Sequence, residues 1–560
     1  MGVAGRGFNQ VKTTSPQETG SKLSWALPPT WLRFIVIVLL VLGIFFRFAN
    51  LDRKIYWIDE TYTSFRVSGY TEQDISAEVS KTKIFTNEGL QKYQRLNSEK
   101  TVVDTVKGLV AEEPQLTPLY FVTVRHWAKL LGNAIASMRS FSAFTSLLVF
   151  PLVHWLCLEL FESSLVGWIA ITLIAVSPFH IVYAQEARPY TLWAVTILLS
   201  SASLLRAIRV QTKLSWGMYA ATVALGLYSF LFSAFVAISH AIYVAGIERF
   251  RFTKTLKAYL LATSVGFLAF LPWIVIVITY LPRIIRATPE QSGSNRVSIL
   301  SLGKAWLGNI SRDFFDLGLH GDGLLDSSLP LLITTLVIIV ALLTLIGYSI
   351  YFIYSQTPLR VWLFVLSLMA VTALALVIPD LILGGLRSVY SRYFIPCHLG
   401  IQLAVAYFFS SKISYTPFNI RQQKLWQFGL AVVLCLGLVS GVVYSQADLW
   451  WHKKTNQFNP QLAPLVNQAT RPLVMREMPH DKPPHNFFTI VSLSYWIEPK
   501  ARYQVVFEGT LPTIPQNFTD IFIIDPSQQL QAKLSKSQTM QLQAVKEVKN
   551  SLPIYKLIRL

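Results

Sequence analysis

Only three cysteines occur in 560 residues, Cys157, Cys397 and Cys435, each inside an apolar run. They make neither a disulfide framework nor a metal-ligand spacing, which excludes a cysteine-stapled fold and a zinc module. Charge is also sparse, with Asp, Glu, Lys and Arg making 14% of the chain against about 25% in a soluble protein. Acidic residues are the scarcer kind, 30 against 49 basic ones, leaving a formal charge of +19. The cations are scattered over loops instead of forming one stripe, so the excess reads as membrane topology and no nucleic-acid partner is expected. Neither a Walker nor a Rossmann glycine pattern appears, so a nucleotide site is unsupported. No internal repeat is apparent.

Apolar residues take the place of what is missing: they make 52% of the chain, and the mean hydropathy is +0.44. Runs such as Trp31 to Phe48, Leu329 to Ile353, Val361 to Ile378 and Phe428 to Tyr444 are each long enough to cross about 30 Å of hydrocarbon. No small-residue cleavage site follows the first run, which is therefore expected to be retained as a span. Residues 1–30 are polar and read as a disordered cytoplasmic tail. The segment Thr117 to Gly132 carries Arg125, His126 and Lys129 and would be only about 22 Å long as a helix, so it is placed flat at the interface. That placement puts the basic loop Arg206 to Lys213 in the cytoplasm, as the charge bias prefers.

The expected fold class is an all-α polytopic membrane domain over residues 31–446, with about 11 spans and interfacial helices in its first external loop. Its external segments are 50–137, the turn at Glu186, 282–328 and 379–391. Residues 447–560 change character, with a Pro-rich "MPHDKPPHN" and short runs "FFTIVSL", "RYQVVFEG", "DIFIID" and "IYKLIRL". They read as a small external α/β domain. The expected location is a bacterial plasma membrane with a cytoplasmic N-terminus.

Several charged residues sit where spans end. In "RKIYWIDETYTSFRV" the pair Asp59-Glu60 follows the first span, framed by Trp57 and Tyr62. A partly desolvated carboxylate there suits a general base that deprotonates an acceptor hydroxyl; a solvated helix start is the other reading. In "SPFHIVYAQEARPY", Glu186 and Arg188 end a span on the same side, with Tyr190 beside them. Arg188 offers a planar fork suited to phosphate, and Glu186 suits orienting it or a sugar hydroxyl, against the alternative of an interfacial ion pair. "GGLRSVYSRYFIP" adds Arg387 and Arg392, with Tyr390 and Tyr393, as an anion site or a headgroup anchor. Loop 282–328 contributes Arg283, Arg286, Arg296, Lys304 and Arg312 on the side where positive charge is normally scarce. His154, His180 and His240 read as hydrogen-bonded core residues.

In order and spacing, Asp59-Glu60, "LTPLYFVTVRHWAKLLGN", "MRSFSAFTSLLVFPLVHWL", "SPFHIVYAQEARPYTL" and "SRYFIP" resemble the polytopic C-type glycosyltransferases, in the branch of protein O-mannosyltransferases and lipid A sugar transferases. The likeness covers about residues 30–410. It implies a polyprenyl-phosphate sugar donor, attack by an acceptor hydroxyl of a lipid, glycan or protein on the non-cytoplasmic face, and inverting single displacement. By the same resemblance Asp59 is the base, Glu60 positions the acceptor or the loop, and Arg188 and Arg392 contact phosphate. No cofactor is expected, and a divalent cation is left open. Relatives often carry His-Pro-Pro-Leu where this chain has Leu116-Thr117-Pro118-Leu119, so no histidine role carries over there. The competing class is a transporter or flippase, which predicts repeated halves and charge near the midplane.

Overall fold

The computed structural model describes residues 27–28, 30–82, 84–287, 297–319, 328–414, 420–479, 485–536, 540–545, 547–548 and 552–559. The expected tail through residue 26, and Arg296, lie outside the described residues.

The first apolar run forms α1 (Thr30–Phe48), and the polar segment after it folds into α2 (Ile58–Ser68), α3 (Glu72–Lys81), α4 (Asn87–Gln91) and α5 (Val102–Glu112). Thr71 and Thr101 start α3 and α5 through capping boxes with Asp74 and Asp104, so these polar helices are set locally. Next comes α6 (Pro118–Leu131), whose 14 residues reach about 21 Å, less than the hydrocarbon thickness.

The bundle continues with α7 (Ile135–Leu147), α8 (Val149–Phe161), α9 (Ser164–Val176), α10 (Pro178–Ala184), α11 (Tyr190–Val210), α12 (Lys213–Ser229), α13 (Ser233–Ile247) and α14 (Lys254–Thr279). Two shorter helices, α15 (Leu281–Ala287) and α16 (Ile299–Ser311), precede α17 (Leu329–Gln356), α18 (Leu359–Ile382), α19 (Ile395–Ser414) and α20 (Ile420–Gln446). Among the described residues seven helices are long and apolar enough to cross a membrane, with α7 and α8 running as one, and the bent pair α9–α10 makes up to eight. The chain is thus an integral, multi-pass membrane protein. Three further runs expected to cross are helical as α1, α12 and α13; the last two have 17 and 15 residues, about 25 and 22 Å. Span α19 is 83% buried within the bundle whereas α17 is 17% buried, so the former is central and the latter faces lipid.

The α9–α10 pair bends by 61° where Pro178 follows Ser177. Proline has no N–H to continue the ladder, so carbonyls at the end of α9 need other donors. Arg47 supplies them, donating to Ala175 O at 2.6 Å and Ile174 O at 2.9 Å. Gly43 lets α1 come this close: a Cβ there would lie 2.5 Å from the Ala175 oxygen.

After α20, a 3-10 segment Trp451–Asn456 leads into α21 (Asn459–Gln468), β1 (Pro472–Met478), α22 (His485–Ser494), β2 (Arg502–Phe507), β3 (Asp520–Ile524), α23 (Gln528–Ser535), β4 (Met540–Ala544) and β5 (Ile554–Arg559). The sheet order is β2-β1-β3-β5-β4, parallel among the first three and antiparallel at β5 and β4. Of the short runs, "FFTIVSL" forms α22, in which every residue from Phe487 to Ser494 is buried, and the other three form strands. A run buried on all sides shows no period, so strand and helix look alike in sequence. Phe487 and Phe488 of α22 share one apolar core with Phe65, Phe85 and Tyr93 of the first loop, and Phe85 pairs with Tyr503 as an isolated antiparallel bridge. The C-terminal unit is therefore packed directly on α2.

Candidate active site

Two acidic residues adjacent on α2 point about 100° apart around the helix, so they meet different surroundings. Glu60 is fully buried, and its carboxylate accepts from Arg139 Nε at 2.7 Å and Nη2 at 2.6 Å, from Lys453 Nζ at 3.0 Å and from the Ala187 amide at 3.0 Å. Burial alone would push this carboxyl up, but the Arg139 and Lys453 charges with these hydrogen bonds outweigh it and hold it down to about 2. Arg139 also donates to the carbonyls of Leu51, Lys54 and Ile55. Glu60 thus anchors the first loop to the bundle and, through Ala187, to the turn that carries Arg188.

Asp59 keeps a quarter of its side chain exposed and faces two arginines, with Oδ2 3.0 Å from Arg392 Nη1 and 4.0 Å from Arg188 Nη2. Arg188 is fixed from behind, donating to the Asp59 carbonyl at 3.1 Å and Thr63 Oγ1 at 3.2 Å. Four rings surround the Arg392 guanidinium: Tyr390 at 4.7 Å, Tyr393 at 5.4 Å, Trp57 at 5.6 Å and Tyr190 at 5.8 Å. Nε of Arg188 and of Arg392, and Nε1 of Trp57, are buried donors without a hydrogen-bond partner. Buried orphan donors are costly unless a ligand uses them, and two of these three are cationic.

Glu186 does not pair with Arg188. It is fully buried, meets His452, and lies 3.9 Å from Lys453 Nζ. Arg387 is not in the cluster: Asp380, seven residues earlier, binds it at 3.0 Å and also accepts from the Ser388 amide. The two expected arginines of that loop are thereby separated, Arg387 to Asp380 and Arg392 to Asp59. Of the loop cations, Arg283 lies 3.5 Å from Glu72, and Arg312 stacks 3.9 Å from the Trp451 ring while facing Asp316 at 3.9 Å. His240 is hydrogen-bonded in the core to Ser201 and Tyr219.

Sequence reasoning passed over Arg139, Thr63, His452 and Lys453. The run "WWHKKTN" at the end of the last span, Trp450 to Asn456, carries the same signature of charge at a span end that picked out Glu186 and Arg188. Among the described residues no group of three His, Cys, Asp or Glu side chains is placed to hold a metal.

No protein-family model and no curated protein matches the chain. Among solved structures, ArnT from Cupriavidus metallidurans bound to undecaprenyl phosphate aligns over 94% of this chain and 98% of its own, with a TM-score of 0.50 at 12% identity. An oligosaccharyltransferase from Archaeoglobus fulgidus, tethered with an acceptor peptide, aligns over 84% and 64% with a TM-score of 0.43 at 11% identity. In fold, with short polar helices after the first span, an apolar helical bundle and a C-terminal sheet, the chain is similar to ArnT along nearly the whole of both proteins.

Proposed function

We propose that this protein is a membrane glycosyltransferase that moves a sugar from a polyprenyl-phosphate donor to an acceptor hydroxyl on the non-cytoplasmic face. The observation that carries the reading is Asp59, partly exposed and held 3.0 Å and 4.0 Å from Arg392 and Arg188 at the end of the spans. Two guanidinium charges against one carboxylate leave one positive charge, the complement of a single phosphodiester. In the reaction the acceptor oxygen attacks the anomeric carbon, Asp59 takes the hydroxyl proton, and the bond from that carbon to the phosphate oxygen breaks. Arg188 and Arg392 stabilise the charge that appears on the departing polyprenyl phosphate, a role fixed cations perform without reorganisation. One displacement of this kind inverts the anomeric centre. The ArnT structure holds undecaprenyl phosphate, which agrees with a lipid-phosphate donor for the present chain.

The test uses the purified protein in lipid discs, supplied with polyprenyl-phosphate hexoses or pentoses and with a membrane lipid and glycan extract as the source of acceptor hydroxyls, with release of free polyprenyl phosphate as the readout. Wild type turns over and Asp59→Asn loses at least about 100-fold in kcat, within the range for a positioned base. Undiminished turnover by Asp59→Asn removes it as the base. Movement of lipid across the bilayer with no release from any donor would replace the transferase reading with a flippase.

A further inference from the structure

The segment after the last span holds both neighbours of Asp59 and meets Glu186. Asn456 Oδ1 accepts the Ile58 amide at 2.9 Å, a helix-terminal donor for which Trp57, at the N-cap of α2, offers no side-chain acceptor. Lys453 Nζ donates to Glu60 Oε2 at 3.0 Å and to Ile55 O at 3.1 Å, and both Lys453 and Asn456 are completely buried. His452 meets Glu186 on the neighbouring turn. Trp450 and Trp451 donate their indole N–H to Asp316 Oδ2 at 3.0 Å and 2.7 Å. Asp59 lies between Ile58 and Glu60, so the residues on both sides of it are held by this one segment.

We propose that Lys453 and Asn456 are positioning residues which set the Asp59 carboxylate against Arg392 and Arg188, making the chain beyond the last span part of the catalytic machinery. The inference rests on the Asp59 reading above. Its physical basis is leverage: α2 enters the site at its first turn, and its start has no local cap. Removing an acceptor from Ile58, or the cation that Glu60 shares, lets that turn shift, and a displacement near 1 Å costs about 100-fold in rate. The donor phosphate is met by arginines carried on other elements, and although Arg188 leans on the α2 backbone at Asp59, Arg392 does not, so affinity changes less than kcat.

The experiment compares Lys453→Met, Asn456→Leu and Asn456→Asp with wild type in full-length protein in lipid discs, reading kcat, donor KM and the Kd of undecaprenyl phosphate. Lys453→Met and Asn456→Leu are expected to lower kcat about 10- to 100-fold with KM and Kd within about twofold. Asn456→Asp, which keeps the acceptor, recovers most of the loss. Wild-type kcat in both Lys453→Met and Asn456→Leu, with Asp59→Asn inactive, overturns the inference and leaves the Asp59 reading standing. Parallel loss of kcat and of undecaprenyl phosphate binding in both, or no recovery by Asn456→Asp, shows a merely structural segment and also overturns it. Full activity of Asp59→Asn overturns the reading beneath it.

Discussion

Glu60→Gln is expected to weaken the fold far more than Asp59→Asn, although the two residues are neighbours on one helix. The Glu60 carboxyl falls from 4.5 to about 2, and at about 1.4 kcal/mol per unit that is about 3 kcal/mol of stabilisation. The depressed value fixes the sign: this stabilisation is present above pH 4.5 and is lost as pH falls toward 2. Substitution also strands Arg139, whose guanidinium is 1% exposed, so a total of about 3 to 5 kcal/mol is expected. Asp59, with 25% of its side chain exposed, makes contacts of the partly screened kind, worth about 1 kcal/mol or less. Thermal unfolding in lipid discs at pH 7, read by intrinsic fluorescence, should lower Tm by about 3 to 4 °C for Glu60→Gln and by about 1 °C or less for Asp59→Asn. Equal melting of the two variants would refute the division of the acidic pair into an anchor and a reacting group.

Arg392→Ala is expected to raise donor KM at least about tenfold, by loss of a charge-assisted phosphate contact, while Arg387→Ala, removed from a pair with Asp380, leaves KM within about twofold. Steady-state kinetics on the two variants settles which arginine of that loop meets the donor. Burial, with Glu112 and Glu113 adding to it and Arg66 opposing, raises the Glu72 carboxyl to about 7. A raised acid stabilises fully below its unfolded value of 4.5 and loses that contribution as pH climbs through 7, so Tm of Glu72→Gln should gain on wild type between pH 5 and pH 8. Prior dialysis against EDTA is expected to leave polyprenyl phosphate release unchanged; a loss restored by one divalent ion would add a metal to the site. Gly43→Val, whose Cβ would lie 2.5 Å from the Ala175 oxygen, should block the approach of α1 to α9 and lower the yield of folded protein, measured by size exclusion.

The spans were legible because a bilayer demands about 20 consecutive apolar residues and tolerates little else, so length and hydropathy specify them without reference to neighbours. The same intolerance exposed Asp59, Glu186, Arg188 and Arg392, since charge at a span end is costly and has to be explained. What each charge touches was decided only in three dimensions. Asp59 meets Arg392 across 333 positions of sequence, and no local pattern records a contact of that range. Glu186 and Arg188, two residues apart, were read together, yet a turn sends one to His452 and the other to Asp59. Arg387 and Arg392 look alike in sequence, and only the fold brings Asp380 to the first. In "FFTIVSL" the loss of information is complete, because a segment buried on every side has no polar face to set its period. Sequence determined where charge must be accounted for; tertiary structure alone chose its partner, because pairing follows from distance after folding and not from spacing along the chain.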